Sequence, residues 1–205
     1  MRANIKMILN DCLIEMRDTP DKYYGLAIID PPYGLPKRSG QGAGKLQNRI
    51  IQKMHQKDWD IKPEKEYFNE LFRVSKNQII WGGNYFELPP TRGIIAWDKC
   101  QPWPNFSAWE MAWTSFDCPA KLFRFDNRIG DKMHPTQKPV ALYKWLLQNY
   151  AKEGDKILDT HGGSGSICLA CHELNFELDW IEKDKEYYDL AVERFNNFKI
   201  QELMF

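Results

Sequence analysis

Four consecutive residues, Asp30-Pro31-Pro32-Tyr33, combine a charged acceptor, two ring-locked residues and an aromatic face. Because the prolines lack an N–H and hold the chain extended, their carbonyls turn outward as acceptors. Asp30 and the Pro31 carbonyl can then accept both N–H bonds of an exocyclic amine while Tyr33 stacks on its ring. The amine lone pair faces an electrophile, and the carboxylate stabilises the positive charge that develops on nitrogen. The motif predicts chemistry on an aromatic amine; a plain Asp-Pro turn is the alternative.

A second candidate site is the glycine-rich segment 159–166, Asp-Thr-His-Gly-Gly-Ser-Gly-Ser. Glycines between a strand and a helix let the backbone approach a ligand closely. Glu182 follows Gly163 by 19 positions, near the ~20-residue spacing at which an acid reaches ribose hydroxyls. No Gly-Lys-Ser/Thr follows, and Cys168 stands where a dinucleotide fingerprint needs glycine. The segment predicts a site for a ribose-bearing ligand that needs no pyrophosphate, with a structural turn as the alternative.

Short apolar strands alternate with amphipathic helices at both ends of the chain. Strands are predicted at 5–9, 26–29, 78–81, 93–97, 156–159 and 176–181, and helices at 64–74, 136–150, 164–174 and from 184 onward. This alternation indicates a parallel α/β sheet with right-handed crossovers. Residues 110–116 and 120–125 are predicted to form a pair of antiparallel edge strands. Ligands of such sheets bind at the carboxyl ends of strands, which is where both motifs fall.

Composition limits the classes of protein that fit. The 205 residues carry 28 basic and 28 acidic side chains, 43% are hydrophobic, and mean hydropathy is −0.59. These values exclude a disordered chain and a membrane bundle, and we expect one domain over 1–205. The first ten residues lack a long apolar segment, and five cysteines show no disulfide framework. Both observations favour a cytoplasmic protein.

Basic residues are concentrated in the Gly-containing segment 34–58. Between Lys37 and Lys57 there are six basic residues and no acid. The segment is predicted to be a basic loop. A solvated surface loop without a partner is the alternative interpretation.

Three motifs, and their order along the chain, resemble those of the S-adenosylmethionine-dependent amino methyltransferases of DNA in the circularly permuted beta group. There, as here, Asp-Pro-Pro-Tyr comes early and the cofactor glycines late. The segment 134–139, His-Pro-Thr-Gln-Lys-Pro, is similar to the one that opens the helix before the cofactor strand. The resemblance spans about residues 6–194. It implies a Rossmann-like methyltransferase sheet, mostly parallel and seven-stranded, with an antiparallel edge strand.

The resemblance also implies residue roles. The flipped base is held by the tetrapeptide Asp30, Pro31, Pro32 and Tyr33. The cofactor S-adenosylmethionine is implied to contact Asp11 through its adenine, Glu182 through its ribose, and Thr136 and Lys138 through its carboxylate, with Asp159, His161, Gly163, Ser164 and Gly165 shaping the pocket. Thr160-His161 departs from the family's usual Pro-Phe. His161 is expected either to supply a flat, neutral ring or to lower cofactor affinity.

The implied activity is methylation of adenine N6 in double-stranded DNA, because Asp at the first tetrapeptide position accompanies adenine in the family. Cytosine N4 methylation, RNA adenine methylation and a non-catalytic DNA-binding module stay open as alternatives. Residues 125–134 leave little room for a recognition insert. DNA contact is therefore assigned to the basic loop, through Lys37, Arg38, Lys45, Arg49 and Lys53. Family analogy suggests a homodimer and leaves a restriction endonuclease partner open.

One further pattern mimics a known site. Cys168, Cys171 and His172 match the spacing of a c-type haem attachment, but they fall within a predicted helix. The remaining cysteines stand alone, which does not suit zinc. No metal is expected.

Overall fold

The computed structural model describes residues 3–35, 61–101, 107–126 and 137–203. These residues form one sheet from the strands β1 (Ile5–Leu9), β2 (Tyr24–Ile29), β3 (Ser75–Trp81), β4 (Ile94–Asp98), β5 (Trp109–Thr114), β6 (Lys121–Arg124), β7 (Lys156–Asp159) and β8 (Glu177–Glu182). The α-helices are α1 (Cys12–Arg17), α2 (Lys65–Val74), α3 (Val140–Tyr150), α4 (Ser166–Leu174) and α5 (Lys185–Leu203). Among the described residues, none of these helices has the length and apolar character that a membrane crossing requires.

The sheet order is β1-β8-β7-β2-β3-β5-β4-β6. All neighbours are parallel except those of β5, which runs antiparallel to β3 and to β4. The mostly parallel, Rossmann-like sheet is therefore confirmed, while two details differ from the sequence interpretation. The sheet has eight strands instead of seven, and its antiparallel strand is internal instead of at an edge.

The expected pairing of 110–116 with 120–125 is wrong, because β4 lies between β5 and β6. The burial of the two strands explains the difference. In β5, Ala112, Trp113 and Thr114 are buried, as suits an internal strand, whereas exposure alternates along β6. A strand with one exposed face, such as β6, suits the edge of a sheet.

Strand β2 lies at the centre of the molecule, and all six of its residues are buried. Its side chains alternate between two apolar layers, as the period of a strand requires. Leu26 and Ile28 pack in the layer that contains α3 and α4. Ala27 and Ile29 pack on the other side, with α2 and Met16 of α1. A strand covered on both faces fixes the position of the residues that follow it, which are Asp30 to Tyr33.

Two helix starts bear on the site. Helix α1, which the sequence analysis did not predict, begins after Asp11, whose carboxylate accepts a hydrogen bond from the Leu13 N–H at 2.8 Å. Helix α3 begins at Val140, with Pro139 in an extended conformation before it, so it starts later than predicted. Thr136, where the prediction began the helix, lies outside the described residues.

Candidate active site

The carboxyl ends of β1, β8, β7 and β2 open into a cavity of about 380 Å³. Because these four strands are neighbours in the sheet, the turns that follow them meet at one edge. The lining comes from those turns and the adjoining helices: Asn10, Asp11, Cys12, Asp30, Pro32, Gln137, Lys138, Tyr143, Thr160, His161, Gly162, Gly163, Ser164, Glu182, Lys183, Asp184 and Tyr187. Two separate sequence motifs thus face one cavity of a size that suits a small-molecule ligand.

The glycine turn between β7 and α4 requires its glycines for two different reasons. A Cβ at Gly162 would lie 1.9 Å from the ring of buried Trp180, so no side chain fits there. Gly163 and Gly165 have φ angles of +52° and +69°, which favour glycine. The Gly162 N–H donates to the Ile181 carbonyl at 2.9 Å, so the turn is fastened to β8.

Glu182, at the end of β8, holds the same turn through its carboxylate. One oxygen accepts the Gly163 N–H at 2.9 Å, and the other accepts the Asp184 N–H at 2.8 Å. Burial raises the pKa of Glu182, although these backbone bonds oppose the shift. Each carboxylate oxygen keeps a second acceptor site. Glu182 can therefore hold the turn and still accept a ligand hydroxyl in the cavity.

Asp159 and Gly165 support the turn from behind and do not line the cavity. Asp159 is 3% exposed and accepts the His161 N–H at 3.1 Å. Burial, with smaller contributions from the Asp30 and Glu182 charges, raises the pKa of Asp159 to about 8. Gly165 precedes α4, and its N–H donates to the Gly162 carbonyl at 3.1 Å. Their direct contact with the cofactor stays a prediction.

Thr160 and His161 meet Tyr67 of α2 at the cavity wall. The Tyr67 hydroxyl lies 2.6 Å from Thr160 Oγ1, which lies 2.9 Å from His161 Nδ1. The Tyr67 and His161 rings meet edge to face at 5.3 Å. Burial lowers the pKa of His161 to about 3. The ring is thus neutral near pH 7, and its role as a flat ring in the cofactor pocket stays a prediction.

The tetrapeptide after β2 is held in place by its own aromatic residue. The Tyr33 hydroxyl donates to Asp30 Oδ1 at 2.6 Å, and the Tyr33 ring stacks on Tyr85 at 4.8 Å. Burial, followed by the charges of Asp30 and Glu110, raises the pKa of Tyr33, so the hydroxyl stays protonated. A Cβ at Gly82 would lie 2.2 Å from the Tyr33 ring. The Gly82 turn therefore leaves the room that Tyr33 occupies.

Lys138 connects the tetrapeptide to β5. The residue is 3% exposed, and its ammonium contacts Asp30 Oδ2 and lies 3.3 Å from Glu110 Oε2. It also lies 5.0 Å from the centre of the Trp81 ring. Burial alone would lower the pKa of Lys138, but the charges of Asp30 and Glu110 outweigh it and raise the pKa.

Lys99 completes this row of charges by pairing with the other oxygen of Glu110. Burial would raise the pKa of Glu110, but Lys138 and Lys99 outweigh it and lower the pKa. Two acids and two bases therefore alternate from Lys99 to Asp30. The row has no net charge.

The predicted site residues fall into three groups. The first group lines the cavity: Asp11, Asp30, Pro32, Lys138, His161, Gly163, Ser164 and Glu182. The second group does not line it: Pro31, Tyr33, Asp159 and Gly165. The expected contacts Thr136, Lys37, Arg38, Lys45, Arg49 and Lys53 lie outside the described residues.

Four residues of the site were not predicted from the sequence: Glu110, Lys99, Tyr85 and Tyr67. A single acid within the apolar strand β5 was the available signal for Glu110. Tyr85 follows a Gly-Gly turn at the end of a strand, which could have indicated the site.

The cysteines that mimic a haem motif are part of the core. Cys168 and Cys171 are fully buried in α4, and His172 contacts Phe195 edge to face at 5.4 Å. Burial raises the pKa of both thiols. Within the described ranges, no group of three or more His, Cys, Asp or Glu residues is arranged to hold a metal.

Comparison with known proteins identifies relatives over nearly the whole chain. Residues 113–193 match the family described as DNA methylase, the N6/N4 methyltransferases. The chain is 44% identical to the Type II methyltransferase M.HpaI of Haemophilus parainfluenzae, over 94% of this chain and 76% of the relative. Two solved structures share its fold. The cytosine-N4-specific PvuII DNA methyltransferase matches with a TM-score of 0.66 at 13% identity, covering 97% of this chain and 92% of the other. M1.HpyAVI, solved with S-adenosylmethionine, matches with a TM-score of 0.61 at 19% identity, covering 94% and 99%.

The chemistry of the cavity fits S-adenosylmethionine, which carries a positive sulfonium, an ammonium group and ribose hydroxyls. Acidic side chains at the ends of three strands, Asp11, Asp30, Glu182 and Asp184, outnumber Lys138 and Lys183 in the lining. Gly163 leaves open space, since a Cβ there would meet nothing closer than 3.9 Å. The motifs, the fold and the 44% identity to M.HpaI lead to one conclusion: the chain belongs to the S-adenosylmethionine-dependent amino methyltransferases of DNA.

Proposed function

We propose that this protein methylates the N6 amine of adenine in DNA, with the target base held at Asp30-Pro31-Pro32-Tyr33. The observation that carries the proposal is the position of Asp30. Asp30 directly follows the central strand β2, and its half-buried side chain lines the cofactor cavity. An aspartate in this place supplies a charged acceptor for an exocyclic amine, and Asp at this motif position accompanies adenine in the family that the chain resembles.

S-adenosylmethionine, when bound, would supply an electrophilic methyl group, and the electron pair of its S–CH3 bond would leave with the sulfur as the C–N bond forms. Asp30 accepts one N–H of the amine and the Pro31 carbonyl accepts the other, so that the nitrogen lone pair is released from the ring. The carboxylate also stabilises the positive charge that develops on nitrogen. After the C–N bond forms, the amine loses one proton, and Asp30 is the carboxylate in contact with it.

No separate base is needed before the attack, because a neutral amine already carries its lone pair. This requirement agrees with the neutral state of His161, whose pKa burial lowers to about 3. We therefore assign the neutral His161 ring to the wall of the cofactor pocket, where its flat face would pack against the cofactor. Glu182 is assigned to the ribose hydroxyls and Asp11 to the adenine of the cofactor.

The basic segment is proposed to bind the DNA phosphates beside the target base. The chain leaves the described residues at Leu35, directly after the tetrapeptide, and returns at Ile61. The two ends are adjacent, because a Cβ at Gly34 would lie 2.9 Å from the Cβ of Lys62. The described residues that flank this segment, Leu35 and Ile61, therefore lie close together after Tyr33, and Lys37, Arg38, Lys45, Arg49 and Lys53 lie between them in the sequence.

The base is identified by labelling. Wild-type protein is incubated with methyl-labelled S-adenosylmethionine and mixed-sequence duplex DNA, and the digested nucleosides are separated by mass. We expect label in N6-methyldeoxyadenosine. Label in N4-methyldeoxycytidine would contradict the assignment of adenine as the target base and would leave the family assignment unchanged. Label that appears only when RNA replaces DNA would contradict the proposal that DNA is the substrate.

A further inference from the structure

Both carboxylate oxygens of Asp30 already have donors from the protein. The Tyr33 hydroxyl donates to Oδ1 at 2.6 Å, and the Lys138 ammonium contacts Oδ2. The proposed function requires an amine N–H to bond to this carboxylate. An ammonium is also an N–H donor. Each carboxylate oxygen keeps a second acceptor site, so the amine of the base can reach Asp30, but it must share that carboxylate with the positive charge of Lys138.

Lys138 has a second carboxylate within reach. Glu110 Oε2 lies 3.3 Å from the ammonium, and the Trp81 ring lies below it at 5.0 Å. A buried ammonium that lost its only counterion would be strongly destabilised. With Glu110 and Trp81 in place, Lys138 can release Asp30 and keep an ion pair and a cation–π contact.

The charge that develops during methylation makes this release necessary. The amine nitrogen becomes positive when the C–N bond forms, and Asp30 stabilises that charge. A second cation held on the same carboxylate would repel it, and the repulsion is strong in a site with little water. A site in which Lys138 stayed on Asp30 would therefore oppose its own reaction.

We propose that Lys138 stands in for the amine of the target base on Asp30 in the free enzyme, and that Glu110 is the positioning residue that receives Lys138 when the base binds. The proposal rests on the proposed role of Asp30. It holds for adenine and cytosine alike, since both exocyclic amines donate N–H bonds.

Three variants test the exchange: Glu110→Gln, Lys138→Met and the double variant. Steady-state methylation gives kcat and KM for DNA, and calorimetry gives the affinity for S-adenosylmethionine. The matched control is Glu173→Gln, because the Glu173 side chain is 27% exposed and paired with a lysine, as Glu110 is. Thermal unfolding shows whether each variant is folded.

In Glu110→Gln, Asp30 is the remaining carboxylate partner of Lys138, so Lys138 competes more strongly with the base for Asp30. We expect kcat/KM for DNA to fall about 10-fold to 100-fold, the size of one to two pKa units of charge interaction, with cofactor affinity unchanged. Lys138→Met removes the competitor, leaves Glu110 paired with Lys99, and lowers KM for DNA. In the Lys138→Met background, Glu110→Gln should then cost no more than Glu173→Gln does.

Independent, multiplicative losses from the two substitutions would overturn the proposal. So would a loss of cofactor affinity in Lys138→Met, which the resemblance-based role of Lys138 at the cofactor carboxylate predicts instead. If Glu110→Gln does not fold, Glu110→Asp replaces it, with a smaller loss expected in the same parameter. Failure of the proposed function is a separate result, because an Asp30→Ala protein that still methylates DNA would show it directly.

Discussion

Tyr67, Thr160 and His161 form a hydrogen-bonded row that contacts one ring nitrogen of His161. The Tyr67 hydroxyl lies 2.6 Å from Thr160 Oγ1 and 3.5 Å from His161 Nδ1, and Thr160 Oγ1 lies 2.9 Å from Nδ1. A buried Tyr67 hydroxyl that donates to neither would be costly. We expect Tyr67 to donate to Thr160 and Thr160 to donate to Nδ1, so that Nε2 carries the hydrogen.

We expect nitrogen NMR of histidine-labelled protein to show His161 as the neutral Nε2–H form from pH 8 down to pH 5. The pKa of His161 in the folded protein, about 3, lies below the ordinary value of ~6.5. The folded ring therefore stays neutral at pH 5, where the ring of an unfolded chain would be protonated. The pH dependence of cofactor affinity over this range should be the same in His161→Phe. Titration of His161 near pH 6.5 would contradict this account.

At the residue scale, the sequence predicted Asp30 and Tyr33 as parts of one site because they are only three positions apart. Their hydrogen bond to each other was not predicted, and their contact with a base stays a prediction. Glu110 could not be assigned, because its contact with Lys138 depends on β5 running antiparallel inside the sheet. Sequence spacing carries no information about that placement.

At the scale of elements, the turn from β7 to α4 depends on the ring of Trp180. A Cβ at Gly162 would lie 1.9 Å from that ring, and Trp180 is fully buried in β8. We expect Gly162→Ala to lower the free energy of unfolding by about 1–3 kcal/mol, the usual cost of overpacking. It should also weaken cofactor binding, because the Gly163 N–H would move away from Glu182.

Urea unfolding and calorimetry measure both effects. Gly154→Ala is the control, since a Cβ there meets nothing within 4 Å although its φ is +82°. It should lose some stability through backbone strain alone and bind the cofactor normally. Equal cofactor affinities for the two variants would show that the Gly162 turn does not shape the pocket.

The sequence predicted the strands β1, β2, β7 and β8, which are the strands that build the cavity. Their apolar runs end in polar or glycine residues, and that pattern is local. The order of β4, β5 and β6 could not be predicted, because consecutive strands were assumed to pair. The structure inserts β4 between β5 and β6, and this pairing joins strands that are not consecutive in the sequence.

At the scale of the whole molecule, charge is separated although the net charge is zero. The cofactor cavity is rich in acids, whereas the segment that starts beside Tyr33 has six basic residues between Lys37 and Lys57 and no acid. The alignment with M.HpaI covers 248 positions, more than the 205 residues of this chain, so the relative has residues in this range that the chain lacks. DNA binding by the basic segment stays a prediction, and the following substitutions test it.

We expect Lys45→Ala with Arg49→Ala to weaken DNA binding and to lower the slope of log affinity against log salt by about 2, one per lost phosphate contact. Lys76→Ala with Lys152→Ala is the control, because both lysines are exposed near the amino ends of β3 and β7, at the opposite edge of the sheet. An unchanged slope in the Lys45→Ala, Arg49→Ala protein would show that the basic segment is not part of the DNA interface. The homodimer expected by analogy stays a prediction.

The most direct measurement of the central claim compares wild type with Asp30→Ala in the labelled transfer assay, with cofactor affinity measured beside it. Asp30 is proposed to hold and stabilise the amine, and it is one of four acids that line the cofactor cavity. The account predicts label in N6-methyldeoxyadenosine for the wild type, at least about a 100-fold loss of transfer in Asp30→Ala for a preorganised charge stabiliser, and a much smaller loss of affinity for S-adenosylmethionine. Transfer by Asp30→Ala at the rate of the wild type would contradict it.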